Sequence, residues 1–323
     1  MTIPVDEDGQ IPAVPDAPDV APLSQPAKPG EVRQAIATGG AAEKLSIASS
    51  AFAVLTLGCA WMLLQLTVLG GLAHARSQHL LYTKLRSELA QATAPTGALD
   101  YRGKPVAPGS PVALLTIPAI HLSQVVVDGT ASGDLMAGPG HLRDTPLPGQ
   151  LGWSWVLGRG STYGAPFRKI ANLRPGDPIT VTMGQGRVDY KVLDVRRAGD
   201  PVPQSPAGAR GGMLTLVTAR GNGFLAFLRA STPVYVDAIT YKAQPDGPVA
   251  GVVPSSELVM ARDTSSLPML TLLLAMLAGL VLAISAARRE FRAVLVWLIS
   301  TPAVIALAWG VTDQVTRLLP NLM

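Results

Sequence analysis

Cysteine is almost absent from this sequence: its 323 residues include one, Cys59. A single thiol excludes an internal disulfide and a cysteine-built metal cluster. Cys59 also lies inside a charge-free apolar run, where it reads as a small apolar residue, because hydrocarbon does not solvate a thiolate. Histidine is scarce too. His74, His79, His121 and His141 form no close ligand pair on one helical face, so neither a metal site nor a cofactor is expected. Aromatic residues make up 5% and charged residues 15% of the chain. The formal charge is +4, but the basic residues are scattered and not interleaved with stacking aromatics, which excludes nucleic acid as a partner.

What the sequence has in quantity is apolar residue, 48% of the total, gathered into runs. Residues 1–43 are rich in Pro, Ala, Asp and Gly without a periodic apolar face, and are expected to be a disordered cytoplasmic tail. Residues 44–74 hold a long run without charge from Leu45 to Ala73, enough for a helix to cross a bilayer. The small-x-small pattern Ala73-His74-Ala75 leaves a cleaved signal peptide as the alternative, but the run is too long and begins too far from Met1. Two further spans are expected over 267–287 and 293–311. They are joined by a polar turn, 288–292, holding Arg288, Arg289 and Arg292, and Pro302 falls within the last span, where neighbouring groups must satisfy the backbone it frees. By the positive-inside rule that turn is cytoplasmic. The expected topology is a multi-pass plasma-membrane protein with a cytoplasmic N-terminus, three spans and an extracytoplasmic tail, 312–323.

The segment between the first and second spans changes character. Residues 75–111 read as a stalk helix followed by a Pro/Gly linker, and 241–266 as a flexible connector back to the membrane. Between them, over 112–240, come seven short β-type runs bounded by turn residues: VALLTIPAI, SQVVVDG, WSWVLG, ITVTMG, DYKVLDV, MLTLVTA and PVYVDAIT. Such runs argue for a closed barrel or sandwich rather than a βαβ sheet. Trp153 and Trp155 alternate along one run, so they share a face.

Several turn signatures occur in a definite order: Leu115-Thr116-Ile117-Pro118-Ala119-Ile120, Gly138-Pro139-Gly140-His141, Thr145-Pro146-Leu147-Pro148-Gly149-Gln150, Thr162-Tyr163-Gly164-Ala165-Pro166-Phe167, Pro175-Gly176-Asp177 and Leu214-Thr215-Leu216-Val217-Thr218. In this set the segment 112–240 resembles the sortase family, most of all the membrane-anchored sortases of Gram-positive bacteria. The resemblance implies a mainly β fold, a closed eight-stranded barrel with a groove for a sorting peptide. It also implies transpeptidation by a cysteine nucleophile, a histidine acid and an arginine.

Matched residue by residue, two of those three groups are missing. The histidine of the family's Gly-His-Arg falls on Arg159, and the cysteine that ends its Leu-Thr-Leu-Thr-Thr-Cys strand falls on Ala219. The arginine position falls near Thr232 or Pro233, with Arg229 a few residues upstream. A guanidinium does not exchange a proton near neutral pH, and a methyl group offers no nucleophile. The sequence therefore reads as a catalytically inactive sortase-like protein whose groove binds an extracytoplasmic peptide or partner protein through Arg159, Ser161, Thr218, Arg220 and Arg229. Two rivals stay open. One is an active enzyme using Thr218 or Ser161 as nucleophile and His141 as base. The other is a structural subunit of a membrane complex, assembled through the hairpin 267–311.

Overall fold

The computed structural model describes Phe52 and residues 56–204, 211–219 and 232–323. The expected tail, 1–43, lies outside the described residues. Eight strands form a closed barrel: β1 (Pro111–Ile117), β2 (Leu122–Asp128), β3 (Gly140–His141), β4 (Gly152–Leu157), β5 (Pro178–Met183), β6 (Gly186–Arg197), β7 (Gly212–Ala219) and β8 (Pro233–Thr240). They close in the order β1-β2-β3-β4-β7-β8-β6-β5. Seven of them fall on the seven runs read from the sequence. The eighth, β3, has only two residues, too short for alternation to reveal; it pairs with β2 in parallel and with β4 antiparallel.

Alternation sorts the side chains between two environments. Leu115, Ile117, Val156, Ile179, Val181, Val188, Tyr190, Leu214, Leu216, Val236 and Ala238 fill the interior. On β4 and β7, the intervening Leu157, Val217 and Ala219 belong to a second apolar cluster on the outer face. All eight residues of β7 are consequently buried, as expected of a strand covered on both faces.

A register shift between Val192 and Asp194 redirects β6. The extra residue, Leu193, is half-exposed. Beyond it Val195 lies opposite Val236 and Arg196 opposite Tyr235. Without the shift, strict period-2 alternation would turn Arg196 into the apolar interior; the bulge sends it to the outer face instead.

Helix α1 (Gly70–Ala90) leads into the barrel and is docked along it. Gln78 supplies the contact: its Nε2 donates to Val125 O at 3.1 Å and Ala137 O at 2.8 Å, while its Oε1 accepts from Val125 N at 2.7 Å. His74, one turn earlier, meets Met136 O at 3.2 Å and Gln124 Oε1 at 3.0 Å. Within 241–266, expected as a flexible connector, Gln244 and Ala250 are instead bonded to loops of the barrel. Gln244 N donates to Gly149 O, Leu151 N to Gln244 O and Ala250 N to Arg143 O, so its backbone polar groups are satisfied by loops rather than by solvent.

Helix α2 is a single turn, Asp134–Ala137. Helices α3 (Leu267–Glu290) and α4 (Ala293–Leu318) follow the barrel. Among the described residues these are the two helices long and apolar enough to cross a membrane. The expected first span, 44–74, is described only in its second half, which is helical and holds a π-helical turn at Gln65–Leu69. Trp61 in that half donates to Thr312 Oγ1 of α4 at 3.1 Å. Helix α4 runs to Leu318, past the expected limit at 311.

Candidate active site

The site lies on the outer face of β4, β7 and β8, where Leu157, Val217 and Tyr235 align across the three strands and Trp155, Thr215 and Asp237 form the next rank. The Trp153 and Trp155 rings lie 5.8 Å apart, and Trp155 meets Tyr235 edge-on at 6.0 Å. The shared face read for the two tryptophans is thus a packed floor.

Below it runs a polar chain. Trp153 Nε1 donates to Thr215 Oγ1 at 2.7 Å, Thr215 Oγ1 to Asp237 Oδ1 at 2.6 Å, and Arg196 Nε to Asp237 Oδ2 at 2.5 Å. Arg196 also stacks over Tyr235 at 4.3 Å. Asp237 is fully buried and Arg196 nearly so.

Ala219 ends β7 on the groove side, in the cluster of Leu157 and Val217. Arg159 leaves the end of β4 between two glycines, each imposed by close approach. A Cβ on Gly158 would lie 2.4 Å from the Phe167 ring, and one on Gly160 would lie 2.3 Å from Ala219 O. Sequence matching reads Arg159 as a groove-surface cation, but the fold buries it completely. Its Nη2 donates to Ser132 O at 2.9 Å and Ser132 Oγ at 2.8 Å; its Nη1 donates to Thr162 Oγ1 and Met323 O, both at 3.0 Å. The Tyr163 ring lies 5.2 Å away. Burial pulls the guanidinium pKa down to about 10. It therefore stays charged near neutral pH, unable to trade protons as an acid or base.

The remaining sequence candidates are not brought together. Period-2 alternation puts Thr218 on the face of Leu214 and Leu216, and its hydroxyl donates to Gly158 O at 2.9 Å. That hydroxyl, read from the sequence as a groove contact and stand-in nucleophile, also lies close to Gly160, 2.8 Å from where a Cβ there would sit. His141 meets Asp128 Oδ1 at 3.3 Å through Nδ1, and Thr145 O and Pro146 O at 3.0 Å through Nε2. Both ring nitrogens hold a turn, leaving none to serve Thr218 as base. Ser161 is partly exposed beside Arg159. Arg220 and Arg229 lie outside the described residues. Among the described residues no group of three or more His, Cys, Asp or Glu side chains is placed to hold a metal ion.

Over Ala219 and Arg159 lie two segments that the sequence reading left as connector and tail. Val259 and Met260 pack on the outer apolar cluster, and Leu322 is buried in it against Leu135, Leu157, Val217 and Ala219. Leu322 O accepts from Gly160 N at 3.0 Å, and Met323 O accepts from Thr162 Oγ1 at 2.6 Å. Asn321 Nδ2 donates to Thr130 O and Leu258 O, both at 2.9 Å. No local motif in the sequence signals Ser132, Leu135 or Leu322, because their partners are distant along the chain.

Glu257, buried and paired with Arg143, anchors the first segment. Its neighbour Asp134 has its pKa pushed up to about 6, first by burial and then by the Glu257 carboxylate. A carboxyl pKa raised by folding means that the folded chain holds this proton more tightly than the unfolded one. Stability is therefore highest below the unfolded value of 3.8 and falls as pH rises towards about 6, after which this contribution is constant. Asp134→Asn is expected to raise stability at pH 7.5 by on the order of 2–3 kcal/mol, and by little at pH 4. Chemical denaturation at the two pH values checks this; an equal effect at both would contradict it.

A family model described as Sortase domain matches residues 115–221. Sortase D of Bacillus subtilis (strain 168) is 28% identical over 88 residues, 27% of this chain and 43% of that relative. The alignment thus spans less than half of the relative's length. Among solved structures, a Clostridium perfringens Sortase D5 transpeptidase is matched over 51% of this chain and 96% of its own, at 19% identity and a TM-score of 0.38. Sortase E from Streptomyces avermitilis is matched over 47% and 100%, at 26% identity and a TM-score of 0.33. The match across 115–221 falls within the eight-stranded closed barrel, so this part of the chain is similar to the sortase domain.

Proposed function

We propose that this chain is a membrane-bound, catalytically inactive sortase-like protein that holds a polypeptide non-covalently outside the cell. One observation carries the reading: at the positions of the family's nucleophile and acid stand the Ala219 methyl and a buried Arg159 guanidinium spent on Ser132, Thr162 and Met323. The nearest hydroxyl on β7, Thr218, is turned to the core side and engaged. What is left is a groove with an aromatic and aliphatic floor and backbone donors, which suits recognition by shape and hydrogen bonding.

The membrane part of the proposal has three spans. Its support is the charge-free run before Ala73, the Trp61 to Thr312 contact, and the two apolar helices whose side chains are left almost wholly unburied by protein. Arg288, Arg289 and Arg292 at the hairpin turn orient it, with the turn and the N-terminus cytoplasmic and the barrel outside.

The test is incubation of the purified full chain with sorting-type peptides, followed by intact-mass spectrometry and product analysis, for the unaltered chain, Thr218→Ala and His141→Ala. The expected result is neither adduct nor cleavage in any of the three. An acyl adduct, or turnover that either substitution removes, overturns the reading.

A further inference from the structure

The hairpin of α3 and α4 is packed closely in one half and open in the other. Away from the turn the helices meet tightly: a Cβ on Gly310 of α4 would lie 3.2 Å from Leu273 Cδ1 of α3. Towards the turn the lining positions carry small side chains, Ala283 and Ala287 on α3 and Ser300 and Ala303 on α4, and a groove of about 470 Å³ is left between the helices. Pro302, placed inside α4 between two of these positions, removes one helical hydrogen bond and resists a straight course there. Along α3 the groove reaches from Leu280 to Ala287, about 10 Å of helix. Every side chain that lines it is apolar except Ser300, whose hydroxyl turns back to Trp297 O of its own helix.

At the mouth of this groove the chemistry changes within one residue. Arg288 follows the lining residue Ala287, and Arg292 follows the lining residue Phe291. Arg288, Arg289 and Arg292 are all exposed, and among the described residues none lies within ion-pair distance of a carboxylate. Glu290 offsets only part of their charge. A helix over 267–287 is about 31 Å long, the thickness of a hydrocarbon core, so arginines that follow it stand at headgroup level. Orienting a hairpin needs positive charge in its turn but no cavity beneath that charge. An apolar groove that ends under free guanidinium groups is complementary to a lipid, with an acyl chain below and a phosphate above. We propose that this groove binds one anionic glycerophospholipid of the cytoplasmic leaflet, its acyl chain lying between α3 and α4 and its phosphate held by the arginines of the turn. The proposal rests on the membrane reading above. It gives the hairpin a role beyond anchoring: the lipid fills the space that the small side chains leave and ties the two helices together where protein contact is missing.

The experiment uses the full chain, reconstituted in nanodiscs of phosphatidylcholine and phosphatidylglycerol in equal amounts and then released for native mass spectrometry, which counts the lipids that stay bound. The unaltered chain is compared with two variants. One carries Arg288→Gln, Arg289→Gln and Arg292→Gln; the other carries Ala287→Leu and Ala303→Leu, which fill the groove and keep every charge. The unaltered chain is expected to retain phosphatidylglycerol over phosphatidylcholine by about 10-fold, the effect of one or two basic residues at a headgroup. The glutamine variant is expected to lose that preference, and the leucine variant to retain neither lipid. Because the arginines also orient the hairpin, single Arg→Gln variants, which leave two of the three charges, are run alongside and are expected to lose part of the preference. An unchanged preference in the leucine variant overturns the groove. An unchanged preference in the glutamine variants, or equal retention of both lipids by the unaltered chain, overturns the phosphate contact. A dimer mass without lipid overturns the proposal in favour of a second copy seated on the groove. A chain that washes from membranes at alkaline pH removes the membrane reading and this proposal with it, whereas a chain that stays in membranes and retains no lipid overturns this proposal alone.

Discussion

Replacing Arg159 by alanine is expected to lower the free energy of unfolding by about 3–5 kcal/mol, a drop in melting temperature on the order of 10 °C. Two opposing effects decide the figure. In favour of removal, the guanidinium is fully buried, and among the described residues no Asp or Glu side chain lies within ion-pair distance of it. Its charge is met by backbone oxygens, hydroxyl dipoles and the Tyr163 ring, so part of its desolvation cost is never returned. Against removal stand the bonds to Ser132 O, Ser132 Oγ, Thr162 Oγ1 and Met323 O. Bonds to a charged group contribute about 1.5–3 kcal/mol each, net of the exchange with water. Alanine would orphan those acceptors and leave a void the length of the arginine stem. The second effect wins, since several acceptors lose their partner at once. Arg159→Met fills the void but not the bonds and is expected to cost about half as much. Urea titration of the full chain in detergent micelles measures both. A loss below about 1 kcal/mol for the alanine variant would show that Arg159 is a dispensable cation and not the organiser of the site.

The other large effect lies beneath the groove floor. Asp237→Ala is expected to destabilise by about 3–5 kcal/mol, because it leaves the Arg196 guanidinium buried without its carboxylate and takes the acceptor from Thr215. Replacing both partners by apolar residues of similar volume, Arg196→Met with Asp237→Leu, is expected to cost far less, within about 2 kcal/mol of the unaltered chain, since no charge is then stranded. A double-mutant cycle of Arg196→Met and Asp237→Leu, singly and together, by chemical denaturation reports the coupling energy. A double variant that loses as much stability as Asp237→Ala would show that the stranded charge is not the cause of the loss. Arg196 stacks on Tyr235, which packs edge-on against Trp155, so losing Asp237 is expected to loosen the surface assigned above to the proposed polypeptide.

Much of the barrel was legible in advance because its strands are half-buried, and half-burial leaves period-2 alternation in the sequence. β3 was not, since two residues cannot carry a period. The positions of Ala219 and Arg159 were legible through the order of the turn signatures. Their surroundings were not: Arg159 is bonded to Ser132 and Met323, 27 and 164 residues away, and nothing local in a sequence records such partners. Thr218 was legible in part: alternation from Leu214 and Leu216 gives the side of β7 that it occupies, but not its bond to Gly158 O, 60 residues away. The bulge at Leu193 works the other way, since simple alternation along β6 would have put Arg196 inside the barrel. The segments 241–266 and 312–323 read as connector and tail because turn-forming and polar residues dominate the first and the second follows the expected last span. Both are held by backbone hydrogen bonds, which leave no compositional trace.

Helix α1 reaches the barrel without a hinge. It is clamped by His74 and Gln78, its Leu85 is buried, and Gly70 brings its backbone against Tyr163, to within 3.3 Å of where a Cβ would sit. For a chain whose apolar helices occupy a bilayer, that clamp sets the altitude and heading of the groove. A tethered domain would sweep a hemisphere of solvent; one clamped this way, in the proposed membrane arrangement, would keep to a single stratum above the lipid. Encounter with another anchored protein then becomes a search in two dimensions, and any segment displayed above or below that stratum goes unmet regardless of how well its side chains fit.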